Sequence, residues 1–216
     1  MRAITKGAEP PSLTAYRHTA DCDYDNYQGK DELRRALVTE QRGLCCYCMG
    51  RIHNGHATMK IEHWRCHSRY PEEQLIYRNL LGACTGGHGQ PANHQHCDTR
   101  KGDQDLQWNP ADPAHHVETR IYYEFDGTIR SDDTAFDAQL NDVLNLNIDF
   151  LKSNRKAVWE AITGWWRMEK ARLHGAVSRA RFQAKRSSWA AGNGELEPFC
   201  QVAVWLLDQR LARMPA

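Results

Sequence analysis

Cys45-Cys46-Tyr47-Cys48, followed at a distance by Cys84 and Cys97, is the pattern that decides the fold of this 216-residue chain. Two residues separate Cys45 from Cys48, the gap at which two thiolates of one tight loop turn onto a single ion. Zn²⁺ takes four such ligands in a tetrahedron at about 2.3 Å from sulfur, and Cys84 and Cys97 can supply the second pair. The glycine- and histidine-rich residues 85–96 between them must loop out for that pair to close. Cys66, His88, His94 and His96 are alternative ligands in place of Cys84 or Cys97. Ordinary buried thiols are the plain alternative, but a charge-rich segment without long apolar runs needs something to hold it. Cys22 and Cys200 lie in other contexts and are read as unliganded. A site of four protein thiolates is closed, so its metal is structural and chemistry must come from what it holds.

Outward from this frame, Met59-Lys60-Ile61 is a short strand candidate leading into Glu62-His63. Upstream, Asp31–Arg42 reads as a helix with Leu33, Ala36, Leu37 and Val38 on one stripe and Gly43 as its C-cap. Pro10-Pro11 and the polar stretch from Asp21 to Gly29 leave residues 1–30 irregular. Downstream, Tyr70–Tyr77 is a short helical passage after Pro71, and Asp98 starts another helix. Ile121-Tyr122-Tyr123 and Thr128-Ile129 flank Asp126-Gly127, a hairpin pattern. Helical spacing then runs over Asp137–Leu151 and Asn154–Leu173, interrupted at Gly175. Pro198 is placed in the first turn of a last helix, with Phe199, Val202, Ala203, Leu206 and Leu207 inward. The expected class is α+β, mostly helical.

Composition narrows the function classes. There are 28 Lys+Arg against 27 Asp+Glu, with 41% hydrophobic and 25% charged residues. These values exclude a disordered, collagen-like or supercharged basic chain. Mean hydropathy is -0.73, and no apolar run approaches the roughly 18 residues of a membrane helix. The opening MRAITKGAEPPSL has no apolar core of a secretory signal. A cytoplasmic chain with no membrane partner is therefore expected, and its eight cysteines read as metal ligands or buried thiols. Charge is uneven: from Lys152 onward there are 12 basic and 5 acidic residues, which leaves 16 against 22 before it. A basic tail half suits a polyanion, or is a solvated helical face.

Catalytic candidates lie beside the cysteines. An imidazole near its free pKa takes a proton from water at neutral pH, which suits His63. Two hard carboxylates hold Mg²⁺ beside a scissile phosphate, which suits Glu62 and Asp98. Asp98 directly follows Cys97, so a metal-bound thiolate would leave it little freedom.

CCYC (45–48), KIEHW (60–64), NLLGAC (79–84) and HCDTRKGD (96–103) together resemble the HNH, or ββα-metal, endonucleases. With ITKGAEPPSL (4–13) and VLNLN…LKSNRK (143–156), the chain is most similar to the HNH subunit of Septu-type anti-phage defence systems, including those attached to retrons. The resemblance covers residues 2–160 well and the last helical part more loosely. It implies a ββα-metal core stabilised by structural zinc on Cys45, Cys48, Cys84 and Cys97, with His96 the first substitute. It implies His63 as general base, Glu62 and Asp98 as ligands of catalytic Mg²⁺ or Mn²⁺, Asn79 as the brace that orients the histidine, and Lys101 as a phosphate contact. It also implies an SMC/ABC-like ATPase partner, in retron versions a reverse transcriptase with its DNA product, and a nucleic-acid substrate with DNA favoured over RNA. Departures are Glu62 where many such enzymes have Asp, Asp98 where many have Asn or His, and the wide 85–96 insertion.

The chain then divides into an arm and helix (1–43), the zinc-held nuclease core (44–112), a hairpin and helix packed on it (113–151), and a C-terminal helical region (152–216) as a platform for partner or nucleic acid. In that region Lys170, Arg172, Arg179, Arg181, Lys185 and Arg186 form a basic run, and Trp165-Trp166 cannot both face one narrow stripe, so one of them is a candidate for a partner contact. Two rival classes stand beside the nuclease: a non-catalytic zinc module that organises a complex, and a metal-dependent hydrolase of a non-nucleic phosphate.

Overall fold

A computed structural model describes residues 1–192 and 194–215. The chain is α+β, 45% helical, with two small antiparallel sheets. Its elements run α1 (Pro11–Tyr16), α2 (Lys30–Glu40), β1 (Met59–His63), β2 (Leu80–Cys84), α3 (Cys97–Lys101), β3 (Tyr122–Tyr123), β4 (Ile129–Arg130), α4 (Thr134–Ala138), α5 (Asp149–Arg172), α6 (Arg179–Ala190) and α7 (Cys200–Ala212). One apolar core takes side chains from Leu13 in α1 to Val202 in α7, and a smaller cluster joins Ile162, Phe182, Ala203, Leu207 and Leu211.

Helix α2 buries Leu33 and Leu37, then stops where Arg42 and Gly43 both take positive φ. The Gly43 amide donates back to the Val38 carbonyl, closing the helix as the sequence anticipates. Beyond it the chain reverses: Leu44 bridges Arg51, and the Cys45 amide donates to the Gly50 carbonyl. Gln41 links this turn to the sheet. Its side-chain amide donates to the carbonyls of Leu44 and Gly82, and its oxygen accepts from the Gly82 amide. A side chain thus does on the outer edge of β2 what a neighbouring strand would do.

Strands β1 and β2 pair antiparallel, with Met59 opposite Cys84 and His63 opposite Leu80. Sheet β3–β4 turns at Gly127, which holds φ +87°. Its turn lies on α5: Lys152 pairs with Asp126, and the buried Arg155 donates to the Gly127 carbonyl. Tyr123 packs edge-on against Trp205 of α7. The hairpin therefore rests on the C-terminal helices.

Three expectations are corrected. Asp137–Leu151 is not one helix. Residues 139–143 wind as a π-turn, Asn145 takes φ +49°, and Asn147 turns its side chain onto the backbone of Ile129, so polar asparagines end the helix despite its apolar spacing. Pro198 lies outside α7, which begins at Cys200 after Phe199 in the left-handed region. Trp165 and Trp166 need no partner to explain them, because both half-buried rings flank Phe182, at 5.5 and 5.7 Å between centroids.

The basic run is largely engaged within the fold. Arg172 and Arg181 bind Glu169, Arg186 binds Asp208, and Arg179 donates to the carbonyls of Leu211 and Met214 at the end of α7. Lys185 sits over the Trp165 ring. Among the described residues no helix is long and apolar enough to cross a membrane.

Candidate metal centre and adjoining cleft

The knuckle turn, the end of β2 and the start of α3 bring Cys45, Cys48, Cys84 and Cys97 together, with all four sulfurs within 4.8 Å of one another. The Cys45–Cys97 and Cys48–Cys84 sulfur pairs are 3.9 and 3.8 Å apart. A tetrahedron with ligands at about 2.3 Å has edges of about 3.8 Å, so the cradle matches a four-sulfur zinc site in donor chemistry and size. Met49 takes φ +65° to make the turn, and the Gly50 amide donates to the Cys48 sulfur.

The wide insertion closes through its own backbone. The His96 amide donates to the Gly86 carbonyl, and the Thr99 hydroxyl donates to the Thr85 carbonyl. Gly86 has φ +57°, and a Cβ there would overlap the His96 carbonyl. Residues 85–96 are thereby a loop with pinned ends, which delivers Cys97 beside Cys84. His96 is buried, with Nδ1 3.2 Å from the Cys97 sulfur and 3.9 Å from that of Cys84. It borders the sulfurs and is not one of the four. His88 and His94 are exposed, and Cys66 lies near the Asp103 carbonyl instead.

Burial works against a thiolate at Cys45, but hydrogen bonds from the neighbouring cysteines outweigh it and hold its pKa well below the usual thiol value. Burial and the Cys45 charge push Cys97 well up, and hydrogen bonds with Cys45 and Cys48 push Cys84 up. Sulfurs this crowded cannot all ionise unless a cation sits among them.

The other side of the same unit is an open cleft of about 440 Å³, lined by residues of β1, α3 and the arm before α2, with Glu62, His63 and Asp98 in its wall. Register explains the meeting. His63 ends β1, Glu62 sits one residue earlier opposite Leu81, and α3 lies on β2 with Asp98 in its first turn. Burial and the neighbouring Asp98 push Glu62 well above the ordinary carboxylate range. Asp98 goes down despite its burial, because its hydrogen bond with Glu62 and the Lys60 charge favour its anion. Two hard carboxylates in one cleft wall have the donor chemistry of a Mg²⁺ or Mn²⁺ site.

The His63 ring is held on two sides. Its Nε2 lies 3.0 Å from the Gln74 carbonyl, which can only accept, so Nε2 carries the proton and Nδ1 keeps its lone pair. Tyr24 meets the ring edge-on at 4.4 Å. Burial lowers the imidazole pKa to about 4, so it is neutral at neutral pH. Among the described residues Asn79 makes no hydrogen bond to His63. Its oxygen accepts from the Arg65 amide, and its side-chain amide donates to the carbonyls of Arg65 and Glu73. Asn79 thus clamps the loop that carries Gln74.

Neither family models nor curated proteins include a match to this chain.

Lys101 departs from its expected place at a phosphate. It is 1% exposed and donates to Glu62 at 2.9 Å and to the His63 carbonyl at 3.0 Å, because α3 turns it under β1 and a buried ammonium needs a carboxylate. Sequence reasoning also missed Tyr47, whose hydroxyl donates to Glu62 at 2.7 Å from inside the cysteine knuckle. Tyr24 and Gln74 were missed as well, since nothing in their local sequence marks a contact with His63. Tyr47 alone had a signal: it is the tyrosine enclosed by the cysteines.

Proposed function

We propose that this chain is a metal-dependent HNH endonuclease that hydrolyses phosphodiester bonds of nucleic acid, with DNA favoured, as the effector subunit of an anti-phage defence complex. One observation carries the reading. A β-hairpin and a following helix, joined by four clustered cysteines, bring a neutral imidazole and two coupled carboxylates to one open cleft.

In this reading Cys45, Cys48, Cys84 and Cys97 hold structural zinc. His63, with Nε2 fixed on the Gln74 carbonyl, takes a proton from water at Nδ1. Asn79 acts on His63 through the loop it clamps. Glu62 and Asp98 hold Mg²⁺ or Mn²⁺, which supplies charge neutralisation at the scissile phosphate. Lys101 and Tyr47 orient Glu62. The partners implied are an SMC/ABC-like ATPase and, in a retron setting, a reverse transcriptase with its DNA product. Phe125 and Phe150, 74% and 65% exposed, support a protein contact away from the cleft, where the Asp126–Lys152 pair ties their two segments together.

A second reading, a non-catalytic zinc-binding subunit of the same complex, is favoured by Glu62, which is 2% exposed and already engaged by Lys101 and Tyr47. The two separate in one experiment. Wild type and His63→Ala are assayed on plasmid and total RNA with Mg²⁺ or Mn²⁺, alone and with the ATPase. Loss of cleavage in His63→Ala with unchanged melting supports the enzyme. No cleavage by wild type in any of these conditions leaves the scaffold reading.

A further inference from the structure

We propose that Arg34 of α2 is the residue that grips a backbone phosphate of the nucleic acid in the cleft. The inference deepens the nuclease reading and rests on the cleft being a phosphodiester site. Such a site needs a cation for the nucleic-acid backbone, and Lys101 is sealed under β1. Among the described residues lining the cleft, the permanently charged cations are Lys60 and Arg34. Lys60 is already spent on Asp98 at 3.0 Å. Arg34 is differently placed. Its side chain is 15% exposed, and its ion pair is with Asp31, which is 81% exposed. A pair with so exposed a carboxylate is weak and easily exchanged. Its Nε is buried and has no hydrogen-bond partner among the described residues. That Nε is shielded inside the fold, so a ligand in the cleft would meet the outer N–H groups of the guanidinium.

A phosphate suits this side chain in charge and shape, because a guanidinium presents parallel N–H donors to two oxygens of one phosphate. The fold also fixes where Arg34 stands. Leu33 and Leu37 anchor α2 in the core, and Gln41 at its end is bonded to Gly82 of β2. Tyr24, which packs on His63, feels the Arg34 charge. Arg34, Tyr24 and His63 thus line one cleft.

The test is binding of a short labelled DNA duplex, and of RNA of the same length, to the whole chain carrying His63→Ala so that bound polymer stays intact. Arg34→Gln is expected to weaken binding about tenfold and to lower the slope of affinity against salt by about 1, with melting unchanged. Arg34→Lys restores the slope but not the affinity. Asp31→Asn, at an exposed position, frees the guanidinium and tightens binding. Equal affinity and slope in Arg34→Gln, or no tightening in Asp31→Asn, overturns the proposal. Dependence on Arg34 without cleavage by the wild type leaves the phosphate grip standing and removes the nuclease. Cleavage that needs His63 while Arg34→Gln keeps its KM removes the grip alone. Binding to neither polymer removes both.

Discussion

At the scale of single residues, the site divides into side chains that sequence spacing marks and side chains that only the fold marks. Cys45 and Cys48 announce themselves by their gap, and Glu62-His63 by following a strand pattern, because those signals are local. Gln74 contributes a backbone carbonyl, which no sequence pattern reports, and Tyr47 reaches Glu62 across the unit. Asn79 is an intermediate case. The resemblance implies a brace there, and three hydrogen bonds to Arg65 and Glu73 tie its side chain to the loop that carries Gln74. Asn79→Ala strands a buried amide and two carbonyls, so a loss of about 2–3 kcal/mol is expected in urea unfolding. Because the loop carries Gln74, the proposed nuclease activity predicts that the same variant lowers kcat more than it raises KM. Asn79→Asp keeps the acceptor but faces two carbonyls with a negative charge, so it should not rescue either measurement.

At the scale of elements, turns were legible where glycine and aspartate dictate them, and helices were misread where polar side chains compete for the backbone. Asp126-Gly127 predicted the hairpin turn, and it is there. The apolar spacing of Asp137–Leu151 concealed the break at Asn145, because periodicity reports which side is buried and not which backbone bonds form. The hairpin turn carries two tests. A Cβ at Gly127 would overlap the Lys152 carbonyl, and φ there is +87°. Gly127→Ala is therefore expected to cost at least about 2 kcal/mol, read as a lower melting temperature. The second test is its pH dependence. The Lys152 ammonium, then the Thr128 amide, hold the Asp126 carboxyl below the usual range. A carboxyl more acidic when folded adds stability above its unfolded value of about 3.9 and loses it as pH falls through the folded value. Asp126→Asn should thus unfold earlier than wild type at neutral pH, and the two midpoints should converge in acid. A gap that persists below the folded value would show that packing at the turn, and not the charge, holds it.

At the scale of the whole molecule, the division of labour between sulfur and hydrocarbon explains why the first half of the chain is short of regular structure. Between Gly43 and Lys101 the longest elements are two five-residue strands and a five-residue helix. Their geometry rests on four sulfurs and on Gln41. The helices α5, α6 and α7 rely on apolar contacts instead, with Ile162, Phe182, Ala203, Leu207 and Leu211 in a cluster of their own. Burial of a large apolar side chain of this kind contributes about 1.5–3 kcal/mol each, so this cluster does not need a metal to persist. Free energy from a metal at the sulfurs would be folding free energy for the knuckle and for both strands. Treatment with a strong chelator, or Cys48→Ser, is accordingly expected to release about one zinc per chain and to raise amide hydrogen exchange first in β1, β2 and α3. The amides of α6 and α7 should stay protected longer. His63 and Asp98 would then lose their common wall, so the proposed nuclease activity predicts that cleavage fails before the helical circular dichroism does. Simultaneous loss of protection across β1 and α7 would instead mean that the Leu13-to-Val202 core ties both regions into one cooperative unit.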